Sequence, residues 1–272
     1  EDDSVRISEE GLPFGLADDS GNSDTTNATV QNGTIQIVDV ENVVVTLSAP
    51  TVPLYSSDKE IMWDGEGTKT LVGTIDSGAI EIIRITIDDD GNYTVTLSGA
   101  IDHVAPVSPS TAEENELSFG VTVNVDDGTA TVTSTLSVYV EDDMPVVIDP
   151  DTAYVVNKTD APGTITGVAL DSDGTVDNNY GADGGTVTFA LASGTMSDYT
   201  TGTQPIYLYV SSDGLTLIGS TLAGSDYATV SADQTNTGAF VITLDPNGSA
   251  PDTYDFTLLK QIDGGIGSFI TT

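Results

Sequence analysis

Tyr93-Thr94-Val95-Thr96-Leu97 sets Tyr93, Val95 and Leu97 on one face of an extended chain and two threonines on the other. The tight acidic turn Asp88-Asp89-Asp90-Gly91-Asn92 precedes it, and the apolar run Ile80 to Ile87, which alternates only partly, precedes the turn. The same order returns in the second half. Tyr254-Asp255-Phe256-Thr257-Leu258 matches the first stretch, and Ala239-Phe240-Val241-Ile242-Thr243-Leu244-Asp245 matches Ile82-Ile83-Arg84-Ile85-Thr86-Ile87-Asp88. Upstream, Thr70-Leu71-Val72-Gly73-Thr74 matches Thr216-Leu217-Ile218-Gly219-Ser220, and Trp63-Asp64-Gly65 matches Ser212-Asp213-Gly214. Loop lengths drift between copies while the strand-like runs persist, as in a modular array.

Working outward, β-branched runs over 33–38, 43–47, 61–63 and 70–75 read as further strands. Residues 117–125 and 129–140 read as a hairpin around Asp126-Asp127-Gly128. Residues 4–34 are mostly polar and loop-like, with a solvated loop at 18–24, and 104–116 form a longer loop holding Pro106 and Pro109. No stretch has convincing helical periodicity. The pattern predicts an all-β chain of two tandem Ig-like antiparallel β-sandwiches, residues 1–146 and 147–272. The second copy has nothing after Asp263 that corresponds to the 117–140 hairpin. Either the parent chain continues beyond Thr272, the favoured expectation, or 264–270 supply a substitute strand.

Six Lys and Arg stand against 43 Asp and Glu, for a formal charge of -37. Nucleic acid and anionic membrane surfaces would repel such a chain. Crowded carboxylates also repel one another in the compact state, unless they are spread over a solvated surface or bind cations. There is no cysteine, so no disulfide can stiffen the fold. Ca²⁺, which takes oxygen ligands, is the natural substitute. The abundance of Val, Ile, Leu, Tyr and Thr in strand-like runs argues against disorder. No apolar run approaches the ~20 residues of a membrane span.

The leading candidate cation site is Glu141-Asp142-Asp143, three consecutive acids ahead of Met144-Pro145 and expected at the joint between the two units; Glu1-Asp2-Asp3 opens the chain with nearly the same words. Asp171 and Asp173, in Asp171-Ser172-Asp173-Gly174, have the alternating spacing that puts two carboxylates on one side of a loop. That loop is no EF-hand, because the twelfth position from Asp171 is Ala182 rather than a bidentate Glu. Asp88 and Asp90, and Asp126, are further candidates. For each of these the competing reading is a solvated turn acid. His103 is the single histidine, and no Gly-x-Ser-x-Gly accompanies it. With acids everywhere, a carboxylate pair suited to glycoside hydrolysis carries no information. Trp63 and the ten tyrosines read as packing residues; Tyr207 and Tyr209 share one strand face.

Several of these segments together resemble a known repeat. Tyr93 to Leu97 followed by Ile101-Asp102-His103, then Glu114-Asn115-Glu116-Leu117, then the strand into Val140-Glu141-Asp142-Asp143-Met144-Pro145, resemble the Ig-like repeat of large type-I-secreted RTX adhesins. Asn179-Tyr180-Gly181-Ala182-Asp183-Gly184 and Phe256 to Asp263 fit the same repeat. The resemblance covers nearly the whole chain. It implies a monomeric, Ca²⁺-stabilised extender of a bacterial biofilm or surface adhesin, extracellular, with neighbouring repeats of the same chain as partners. It also implies a host or surface ligand held by an adjacent module. One departure stands out: the family's hairpin usually carries an Asp-x-Asp-Gly-Asp turn, and Asn124-Val125-Asp126-Asp127-Gly128-Thr129 lacks the last acid. The alternative function is a Ca²⁺-dependent peptide- or sugar-binding module of such an adhesin. No constellation for an enzyme is visible.

Overall fold

The computed structural model describes residues 3–17, 26–38, 43–103, 116–158, 163–246 and 252–263. The expected loop at 18–24, most of the loop at 104–116 and the expected strand at 264–270 lie outside them. The chain is all-β, with several antiparallel sheets and, among the described residues, two short helices. It divides into two compact units: Glu1–Val146 together with Asp177–Gly185, and Val147–Val176 together with Thr186–Thr272. The stretch 177–185, which the repeat reading puts in the second copy, therefore groups with the first.

The first unit contains β1 (Asp3–Ser8), β2 (Val30–Thr34), β3 (Val44–Ser48), the ribbon β4 (Tyr55–Ser56) and β5 (Lys59–Glu60), and β6 (Met62–Asp64). It continues with β7 (Thr70–Ile75), β8 (Ile80–Ile87), β9 (Asn92–Leu97), β10 (Glu116–Asp126) and β11 (Thr131–Glu141). Two sheets result, ordered β1-β11-β10-β3 and β2-β9-β8-β7-β6. Each contributes every second side chain to one continuous core. Val121, Val123, Leu136 and Val138 from one sheet and Leu71, Ile83, Ile85 and Val95 from the other are fully buried. This is sandwich packing, with alternate residues inward. The 117–140 hairpin forms as expected, its arms paired from Glu116↔Glu141 to Asp126↔Thr131.

Two local expectations are corrected. Residues 4–8, within the stretch 4–34 read as loop-like, belong to a strand, Asp3–Ser8, in which Val5 and Ile7 point inward. Two apolar residues are a weak local signal, and the partner that stabilises them lies at the far end of the unit. That pairing is parallel, from Asp3↔Leu136 to Ser8↔Glu141. The strand expected over 33–38 instead spans Val30–Thr34, paired with β9.

The second unit forms one six-stranded antiparallel sheet among its described residues. Its strands are β12 (Thr164–Ala169), β13 (Thr195–Thr201), β14 (Gln204–Val210), β15 (Thr216–Ser220), β16 (Gly238–Asp245) and β17 (Thr253–Leu258), in the order β12-β17-β16-β15-β14-β13. Two helices that the sequence does not announce, α1 (Tyr227–Ala232) and α2 (Gln234–Thr237), join β15 to β16. They are too short for a helical period to register. Asp226 starts α1, accepting the Thr229 amide 2.8 Å away, and Val230 packs with Tyr209 and Ile218.

The repeat is visible in register as well as in order. Thr70↔Thr86 and Gly73↔Ile83 in the first unit correspond to Thr216↔Thr243 and Gly219↔Phe240 in the second. Ile83↔Leu97 and Ile87↔Tyr93 correspond to Phe240↔Leu258 and Leu244↔Tyr254. Both copies carry a register shift directly after the same glycine, Gly73 and Gly219. The first shift explains why Ile80 to Ile87 alternates only partly: a bulge lets adjacent Ile82 and Ile83 both be buried.

Candidate metal centre

Four acid and imidazole groups converge in the first unit. Glu9, His103, Asp142 and Asp183 each offer one ligand atom, and those atoms lie within 4.8 Å of one another. The fold explains the meeting. Because β1 and β11 run parallel with Ser8 opposite Glu141, the chain leaves both strands at the same end of the sheet. The residues that follow, Glu9 and Asp142, emerge side by side. His103 arrives just beyond β9, and Asp183 arrives on the returning 177–185 segment.

Glu9 opens a single 3-10 turn capped by Ser8, and its residue is fully buried. One oxygen, Oε1, accepts the Ile101 amide at 2.7 Å. The other, Oε2, is buried and finds no hydrogen-bond partner among the described residues. Burial pushes this carboxyl up to about 9, against the partial relief of the Ile101 hydrogen bond. The His103 side chain is 4% exposed. Its Nε2 lies 3.1 Å from the Val140 carbonyl oxygen. A carbonyl can only accept, so Nε2 carries a proton, and in the Nε2–H tautomer the Nδ1 lone pair points the other way. Nδ1 is buried without a hydrogen bond, 3.8 Å from Glu9 Oε1 and 3.8 Å from Asp142 Oδ1. Burial raises Asp142, with His103 opposing. Asp183 is raised to about 6 by burial and by the neighbouring Asp142.

Glu9 and Asp142 oxygens thus face His103 Nδ1 across 3.8 Å, with no hydrogen bond closing the gap. A buried ionised carboxylate without a partner is strongly unfavourable, and the two remedies are a proton or a cation. The donor set fits a divalent cation: three carboxylates and one imidazole, with Glu9 fully buried, the His103 side chain nearly so, Asp142 half-buried and Asp183 exposed.

The sequence candidates are dispersed differently from the expectation of a cluster at 141–143. Only Asp142 reaches the convergent group. Glu141 is buried, accepts the Thr26 amide at 3.2 Å, and lies 3.8 Å from Arg6. Asp143 is buried, and its Oδ2 accepts the amides of Leu16 and Ala182, both at 2.9 Å. Thr26, Leu16 and Ala182 all belong to the first unit, as the triplet itself does. Asp88 closes its own turn: the Asn92 side-chain amide at 2.9 Å above all, then the backbone amides of Asn92 at 2.8 Å and Asp90 at 3.0 Å, hold its carboxyl below the usual range. Asp90 lies exposed in that turn. Asp126 caps Gly128 and Thr131, each at 2.7 Å. In the second unit Asp171 is buried and accepts the Asp149 amide at 2.6 Å, while exposed Asp173 accepts Thr175 at 3.1 Å.

Glu9, His103 and Asp183 were not among the sequence candidates for a metal. Asp102-His103 and Ala182-Asp183-Gly184 are among the motifs that carry the adhesin resemblance, and that was the available signal. Glu9 offered none, since one Glu in a polar stretch is unremarkable in so acidic a chain.

No family model matches the chain, and neither a curated protein nor a solved structure matches it. The adhesin resemblance thus rests on its motifs alone. Among the described residues no helix is long and apolar enough to cross a membrane.

Proposed function

We propose that this chain is a structural, non-enzymatic repeat segment of a bacterial surface adhesin, stiffened by divalent cations, that holds a binding module away from the cell. Ca²⁺ is the cation favoured by so oxygen-rich a chain without cysteine. One observation carries the reading: the buried Glu9 carboxylate, with an unpartnered oxygen, faces His103 and shares its surroundings with Asp142 and Asp183. Such a group needs positive charge to be stable while ionised. A cation there would tie the ends of β1 and β11, the segment after β9 and the 177–185 segment to one point. Four distant parts of the chain would be crosslinked, which is the work a disulfide does elsewhere. The residue-for-residue register of the two copies supports the modular part of the reading.

The test is thermal melting of the full chain, with metal analysis, in chelator and in millimolar Ca²⁺. Ligand at a hundred times its Kd adds about 2.7 kcal/mol. The expected result is a melting temperature several degrees higher with the cation, and loss of most of that increment in Asp142→Asn. Melting that no divalent cation changes would sink the proposal.

A further inference from the structure

The geometry points to a finer assignment of this site: Glu9, His103, Asp142 and Asp183 form a centre with higher intrinsic affinity for a divalent transition metal of the Zn²⁺ type than for Ca²⁺. The inference rests on the reading of the cluster as a cation site and adds which class of ion it prefers.

Donor chemistry decides, because distance alone admits either ion. Two donors on one tetrahedral Zn²⁺, at about 2.0–2.2 Å each, stand about 3.3–3.6 Å apart, so the two 3.8 Å separations around Nδ1 would close by a few tenths of an ångström around Zn²⁺, while donors about 2.3–2.6 Å from Ca²⁺ span them with little movement. Ca²⁺ takes six to eight oxygens, and imidazole nitrogen is foreign to its shell. Zn²⁺ is satisfied by four donors drawn from imidazole and carboxylate, the number and kind found here.

His103 is also built as a ligand. It is buried, and its Nε2–H donates to the Val140 carbonyl, so the lone pair on Nδ1 is held toward the carboxylates. A backbone carbonyl on the far ring nitrogen is the usual outer partner of a metal-bound histidine, since it fixes the tautomer and the ring plane. A histidine there only to pack would leave no buried lone pair directed at two acids. One serving as their counter-charge would carry a second proton, on Nδ1, and the ring-nitrogen resonances separate that state from a lone pair free to bind a metal.

His103 is the single histidine of the chain, so its imidazole can be watched without ambiguity. The full chain, stripped with chelator and labelled with ¹⁵N in the imidazole, is titrated separately with Zn²⁺ and Ca²⁺ while heat of binding and the ring-nitrogen resonances are followed. Zn²⁺ is expected to bind at least about tenfold tighter than Ca²⁺ and to move the Nδ1 resonance, while Nε2 stays protonated. In His103→Gln the Zn²⁺ affinity should drop about 10–100-fold and that for Ca²⁺ should barely change. If that variant does not fold, the wild-type resonances decide. Ca²⁺ binding that equals or exceeds Zn²⁺ binding, or an Nδ1 resonance unmoved by Zn²⁺, overturns the assignment and leaves the cation-stapled repeat standing. A chain that binds neither ion overturns both.

Discussion

Ser8 stands opposite Glu141 in a parallel pair, so the first and last strands of the first unit end together. The buried acid Glu9 and the half-buried acid Asp142 are delivered to one place by that register. The same strand ends also present Asp143, which anchors the returning segment through the Ala182 amide.

Asp143→Ala should destabilise the protein by about 3 kcal/mol, because one carboxylate oxygen accepts the amides of both Leu16 and Ala182, and charged hydrogen bonds are worth about 1.5–3 kcal/mol each. Asp143→Asn should be milder, since its amide oxygen can still accept. Urea titration reads both. The alanine variant should also weaken cation binding, because Ala182 adjoins Asp183.

In chelator, stability should fall as pH rises. Glu9 stays protonated in the folded protein up to about 9, whereas its ordinary value is 4.5. The folded state then binds more protons than the unfolded one between those values. The stabilisation is fully present below 4.5 and is lost as pH passes about 9. Asp183, raised to about 6, acts in the same direction over the lower part of that window. Melting from about pH 5 to about pH 8.5 should show a loss on the order of a few kcal/mol. Glu9→Gln, or a saturating divalent cation, should flatten the profile. A profile that rises with pH in chelator contradicts the assignment of Glu9 as a buried acid without a counter-charge.

Gly219→Ala should cost about 1–3 kcal/mol, because a Cβ there would stand 2.4 Å from the Phe240 ring and the core cannot give that much. Gly73→Ala should cost a similar amount or somewhat less, since its Cβ would meet side-chain methyls of Ile61 at 2.8 Å and Ile83 at 2.9 Å. Denaturant midpoints at constant slope would establish that both effects lie in the folded state.

Arg6→Ala should change stability by less than about 1 kcal/mol, despite the 2.7 Å pair with Glu116 and the guanidinium placed 4.6 Å from the Tyr139 ring centre. Arg6 is roughly half exposed, so water and salt already screen the pair. A larger loss would mean that Arg6 neutralises Glu141, 3.8 Å away and buried.

Much of the sheet order is legible in the sequence. Tyr93, Val95 and Leu97 alternate, and all three are buried on one face. Strands 70–75, 80–87 and 216–220 fall where β-branched runs end at turn residues. The antiparallel hairpin 116–141 was also readable, because a short turn links its arms. Strand β1 was not, since its partner lies more than a hundred residues away. Helix α1 was not, because six residues hold too little pattern.

The sequence alone, then, determined which residues turn inward, where strands stop, and that one pattern is written twice. These are local matters, settled by side-chain alternation and turn chemistry. The position of the acids was decided by tertiary structure. Among 43 Asp and Glu, composition gives no means of telling a turn cap from a buried ligand. Asp88 and Asp126 settle on their own backbone amides, while Glu9 and Asp142 meet only because two remote strands pair in parallel and a later segment brings Asp183 to them. Burial and convergence arise when the chain closes on itself, and no short window of residues contains them.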